Sequence, residues 1–207
     1  MEKLYKEWIQ YLFNRPETEW YWDFSLKKFE ASNEELIRLV SRLFENAGAD
    51  LKEFSDTQVA YGLNYIFNNA ISNTIFSICQ KGDDEDLRIK AVLNMKHLYK
   101  DCLAKRCENK LSHDQKVEVS PLNTFCYMLW DTSPLCQWKD VVLDVMEEAL
   151  YIPNDACIES ALHGLGHRYS QDEIKVPDII DRFLSRAKNL NPDLRIYAQS
   201  AKTGCIQ

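Results

Sequence analysis

Glu159, His163 and His167 stand four residues apart in a stretch that runs Asp155-Ala156-Cys157-Ile158 and then on to Arg168. In a helix that spacing puts all three on one face. Two histidines one turn apart can share a zinc ion, as they do in metalloproteases. In that motif a glutamate directly follows the first histidine and acts as the general base; here Gly164 occupies its place. A straight helix also advances about 5.4 Å per turn, so it cannot close all three side chains around one ion. A third ligand would have to come from a neighbour, and Asp172, Glu173 and Asp181 are the carboxylates at hand in the sequence. The plainer expectation is that these polar groups satisfy each other or the next helix end. Metal binding at His163 and His167 stands as the alternative.

Other chemistry has little to build on. No serine sits in a glycine-framed elbow, and no glycine loop would cradle a phosphate or a dinucleotide. Cys102 and Cys107 lie five residues apart with no second pair to complete a metal knuckle. His97 and His113 have no partner nearby in sequence that would mark either as a general base. The residues alone therefore predict no catalytic group, no cofactor and a non-enzymatic role.

The elements that must position these side chains read as helices. Leu36, Leu39, Val40, Leu43, Phe44 and Ala47 follow three-four spacing. Ser32 with Glu35 predicts a capping box before them, and Gly48 predicts the stop. Ser55 with Gln58 opens a second helix bearing Val59, Leu63, Ile66 and Phe67. Asp83 and Asp84 bring negative charge to the start of a third, where the dipole favours it. Leu87, Ala91, Met95, Leu98, Tyr99 and Cys102 form its apolar face. Only Val117-Glu118-Val119 alternates like a strand, and it is too short to be one. The aromatics Tyr5, Trp8, Tyr11, Phe13, Trp20, Tyr21, Trp22 and Phe24 read as a cap over the first helices, and Trp130 and Trp138 as anchors of the turn between them.

A chain of 207 residues is expected to form one all-helical domain: N-terminal helices over 1–104, a polar loop over 105–120 and helix pairs over 121–207. The 32 acidic against 25 basic residues give a net charge of −7 and no basic stripe, which argues against nucleic acid. No apolar run is long enough to span a bilayer and the first residues do not read as a signal peptide, so a cytoplasmic chain with no membrane partner is expected. Seven cysteines in no paired framework read as reduced thiols.

Beyond the loop the sequence repeats at an offset of 38 residues: Asp140-Val141-Val142 matches Asp178-Ile179-Ile180, Asp155 matches Asp193, Ile158 matches Ile196, and Gly166 matches Gly204. Upstream, Asp86-Leu87-Arg88-Ile89-Lys90-Ala91 echoes Asp193-Leu194-Arg195-Ile196-Tyr197-Ala198. The acidic cap, the arginine and the alanine three later resemble the second helix of HEAT repeats, although Cys157 replaces the arginine in the middle copy. The resemblance covers about half the chain and implies a right-handed array of antiparallel helix pairs, a HEAT-like α-α superhelix. An irregular helical bundle is the alternative architecture.

Such arrays offer concave surfaces lined by second helices. The expected function is binding of another protein, one of basic character, by an adaptor or inhibitor of bacterial type. The residues placed on that surface are Arg88, Glu159, His163, His167, Arg195 and Lys202. A metal-binding protein or metal-dependent hydrolase centred on His163 and His167 is the alternative.

Overall fold

The computed structural model describes every residue except Phe24, Lys81, Asp83, Gln115, Val117 and Gln207. The expected contributions of Phe24 to the aromatic cap, Asp83 to a helix start and Val117 to an alternating triplet lie outside the described residues. Among those residues there is no strand, and no helix is long and apolar enough to cross a membrane.

α1 (Glu2–Phe13) leads through a 3₁₀ turn, Trp20–Trp22, into α2 (Asn33–Asp50) and α3 (Asp56–Phe67). Both predicted capping boxes are present: the Ser32 and Ser55 side chains accept from the amides of Glu35 and Gln58, and those residues' side chains bond back. Each such cap contributes about 1 kcal/mol. Gly48 is not the stop that the sequence suggests. α2 runs two residues further, and Gly48 lies inside it because a Cβ there would stand 2.5 Å from the carbonyl oxygen of Asp101. The missing side chain admits a neighbouring backbone.

That neighbour belongs to a long helical run. After the short α4 (Phe76–Cys79), α5 (Glu85–Leu93) and α6 (Met95–His97) continue through a π-helical stretch, Leu98–Leu103, into α7 (Ala104–Arg106). Ala91, Met95, Leu98, Tyr99 and Cys102 bury the predicted face, and the run packs along α2. The described residues of 107–120 then form a strap that contains no helix, and α8 (Pro121–Met128) follows with Ser120 as its cap. The strap is polar because side chains pin it. Asn123 takes the Glu108 amide at 2.9 Å and gives to its carbonyl at 2.8 Å, and Asn154 gives to the Cys107 carbonyl at 3.1 Å.

The last third holds four helices, α9 (Val141–Ala149), α10 (Asp155–Arg168), α11 (Lys175–Arg186) and α12 (Pro192–Ala201). α10 and α12 start 37 residues apart by their bounds, close to the sequence offset. The copies differ in environment. Ile158 is 8 % exposed and its counterpart Ile196 is 68 % exposed, because α12 has an uncovered outer side. Gly166 lies within α10, whereas Gly204 comes after α12 with φ +71° and suits a helix stop.

The N-terminal aromatics are mostly core: Tyr5, Trp8, Phe13, Trp20 and Tyr21 are buried, while Trp22 is exposed. Trp130 is fully enclosed and Trp138 half so. All seven cysteines are unpaired, and Cys205 lies beyond α12.

α10 occupies the centre. α8, α9 and α12 all pack on it, and every residue from 156 to 166 is buried. Close approach explains Gly164: a Cβ there would meet Trp130 Cδ1 at 2.6 Å and the Met146 methyl at 2.8 Å. Replacing Gly164 by alanine should therefore destabilise the fold by about 1–3 kcal/mol despite alanine's better helix propensity. Urea unfolding of the Gly164→Ala chain checks this, and an unchanged or raised midpoint would refute it.

Candidate functional site

Burying a helix on all sides forces its polar side chains to find partners inside the protein. α10 carries Glu159, Ser160 and His163 fully enclosed, with His167 half-exposed at its end. Each turns to a different element.

Ser160 is held in a hydroxyl chain. Trp130 Nε1 donates to the Tyr99 hydroxyl at 2.8 Å, and Tyr99 and Ser160 share a 2.7 Å bond. Ser160 in turn donates to the Cys126 carbonyl. Burial pushes the Tyr99 hydroxyl well above the usual phenol range, so it stays a donor.

Glu159 faces the strap. Its carboxylate accepts the backbone amides of Ser112 at 2.8 Å and His113 at 2.9 Å, and it lies 2.5 Å from His113 Nδ1. It has no solvent exposure. The His113 ring stacks on Tyr197 of α12, with centroids 4.4 Å apart at 17°.

His163 and His167 turn the other way. Their Nε2 atoms lie 3.1 Å apart, and Asp131 Oδ1 stands 3.2 Å from His167 Nε2. One ligand atom from each of these three residues fits within a 4.8 Å group. Two donors bound to zinc at about 2.1 Å, at angles between octahedral and tetrahedral, would sit about 3.0–3.4 Å apart. The His163–His167 and Asp131–His167 spacings fall inside that range. His163 Nδ1 is 2.6 Å from the Tyr197 hydroxyl, which fixes the ring and leaves Nε2 for the cluster. Desolvation, with His167 and His113 adding to it, lowers the His163 pKa to about 3, so the ring is neutral as a metal ligand must be.

Asp131 replaces the carboxylates that the sequence suggested. Asp172 is bound to Arg168 at 2.9 Å, Asp181 to Lys202 at 2.7 Å, and Glu173 is exposed. Asp131 lies 32 residues before His163 in a turn, and no sequence spacing connects them. Trp130, lodged against Gly164, sets it there. Arg168, 5 % exposed by its side chain, ties the same region together through Asp140 at 3.0 Å and the Cys136 carbonyl at 3.1 Å.

The six residues expected on one docking surface do not share one. Glu159 and His163 are interior, and Arg88 is buried with its guanidinium on the Gly82 carbonyl. A group desolvated inside its own fold presents nothing to an incoming partner. Arg195 and Lys202 are accessible, but they are engaged within the chain, with the Ala187 carbonyl at 2.8 Å and Asp181 at 2.7 Å. His167 alone joins accessibility to the polar cluster, at 33 % side-chain exposure. No family model, no curated protein and no solved structure matches this chain.

Two outcomes follow from this geometry. Glu159→Ala leaves the Ser112 and His113 amides without their acceptor, and should cost about 3–5 kcal/mol of stability. The strap should then be cut early in limited proteolysis; a native cleavage pattern would contradict the clamp. His163 binds a proton near pH 6.5 when unfolded and near 3 when folded. Between those values the unfolded chain holds more protons, so stability should fall as pH drops through the window. Melting curves in chelator should show that His163→Gln loses less over the same range than the unaltered chain does.

Proposed function

We propose that the protein binds one divalent transition-metal ion through Asp131 Oδ1, His163 Nε2 and His167 Nε2. The observation that carries this reading is the convergence of the three ligand atoms, 3.1 and 3.2 Å apart, from two separate elements. A two-histidine, one-carboxylate set suits zinc or ferrous iron and leaves further positions for water. Asp131 and His167 are 39 % and 33 % exposed, so the ion's outer side would face solvent. Metal sites with three protein ligands and an exchangeable water are those that do hydrolytic chemistry. We therefore favour a metal-dependent hydrolase over a closed structural site. The scaffold reading that goes with it takes α9–α10 and α11–α12 as HEAT-like units stacked in one register. Support for this comes from the 37-residue spacing of α10 and α12, close to the 38-residue offset of the sequence repeat.

Protein binding is the second reading. Ile174, just before α11, and Ile196 on α12 favour it, being 86 % and 68 % exposed in an acidic chain whose partner would be basic. A cytoplasmic setting accords with seven unpaired thiols.

Elemental analysis and calorimetry of protein purified without a histidine tag separate the readings. One equivalent of zinc or iron per chain is expected. Asp131→Ala and His167→Ala should each weaken it by at least about tenfold, while Lys202→Ala leaves it unchanged. Substoichiometric metal, or affinity indifferent to both cluster variants, would remove the metal reading and leave the protein-binding one.

A further inference from the structure

Beside Tyr197, the strap and the C-terminal helix enclose a cleft of about 410 Å³. Ser112, His113, Tyr127, Tyr197 and Ser200 line it, with Ile206 at its apolar edge. Its volume is within the range of small-molecule sites. Among the described residues that line it there is no lysine, arginine, aspartate or glutamate. The walls are aromatic: His113 and Tyr197 stack, and the Tyr127 and Tyr197 hydroxyls lie 3.3 Å apart.

His113 is the unusual lining residue. Its Nδ1 is committed to the enclosed Glu159 carboxylate, which also holds the His113 and Ser112 amides. In the neutral ring, an Nδ1 held against a carboxylate carries the hydrogen, and Nε2 then presents a lone pair. Among the described residues Nε2 has no hydrogen-bond partner, on a ring that is only 24 % exposed. A ring aimed by a buried carboxylate, with its other nitrogen unpartnered in a cleft, is the arrangement that general bases use.

We propose that this cleft is a second functional site, which takes a small uncharged aromatic compound bearing an acidic hydroxyl and draws its proton onto His113 Nε2. The ligand O–H bond breaks, the Nε2–H bond forms, and the resulting imidazolium is paired with Glu159 while the phenolate stays beside the tyrosine hydroxyls. Aromatic walls select the planar body, and the unfilled acceptor selects a hydroxyl donor. The site does not depend on the metal reading, since neither Asp131 nor His167 lines the cleft.

para-Nitrophenol is a suitable probe because its phenolate absorbs visibly and the parent phenol does not. At a pH where the free compound is mostly protonated, the chain should raise the phenolate fraction severalfold and saturably. His113→Asn keeps an N–H for Glu159 while removing the acceptor, and it should abolish the rise with its melting curve intact. His167→Ala should retain the rise. Should the asparagine variant fail to fold, histidine-detected NMR of the unaltered chain decides: His113 Nε2 must become protonated as the probe saturates. No saturable rise, a rise undiminished in His113→Asn, a rise lost in His167→Ala, or an unchanged His113 Nε2 signal would each overturn the proposal.

Discussion

A helix enclosed on every side cannot leave a polar group unanswered, and α10 buries Glu159, Ser160 and His163 along its length, with Arg168 at its end. Each of Glu159, Ser160 and His163 would cost several kcal/mol if buried without a partner. The surrounding elements are arranged so that none is: the strap supplies amides to Glu159, the π-helical stretch supplies Tyr99 to Ser160, and α12 supplies Tyr197 to His163. The rest of the architecture is consistent with this one demand. The strap is polar and ordered by side chains because it is a source of donors, not a linker.

The approach of Trp130 to Gly164 is the second constraint, and it joins packing to chemistry. Without a Cβ at Gly164 the indole lies directly on the helix, and the next residue, Asp131, reaches the exposed end of the histidine pair. The same indole donates to Tyr99 and so closes the hydroxyl chain around Ser160. One glycine therefore governs both the density of the core and the composition of the polar cluster. Gly48 plays a parallel part on the other side of the molecule, admitting the Asp101 backbone.

Two chemically distinct regions flank Tyr197. On one side, nitrogen and oxygen ligand atoms converge near solvent; on the other, an imidazole paired with a carboxylate lines an uncharged cleft. The Tyr197 hydroxyl touches the His163 ring at 2.6 Å and the Tyr127 hydroxyl at 3.3 Å, so it belongs to both. Burial, with the Tyr127 hydrogen bond adding to it, raises its pKa and keeps its proton in place. Hydrogen-bond order in one region is thereby linked to that in the other.

Local signals carried a good deal of this protein. Three-four spacing in Leu36 to Ala47, and serine three residues before Glu35 and Gln58, specify where helices begin and which face they bury, because those preferences act within one turn. The spacing of Glu159, His163 and His167 likewise put them on a common face. What they would meet was not legible. Asp131, His113 and Tyr197 are 28, 46 and 38 residues from Glu159 along the chain, and each arrives through packing of its own element. Equally, Arg88, Glu159 and His163 read as surface residues because charge is seldom buried, yet burial is decided by neighbours and by the hydrogen bonds they bring. Helix placement is set by short-range backbone and side-chain preferences, so the amino-acid order alone determined it. The identity of each polar partner depends on contacts between distant segments, and only the tertiary structure decided that.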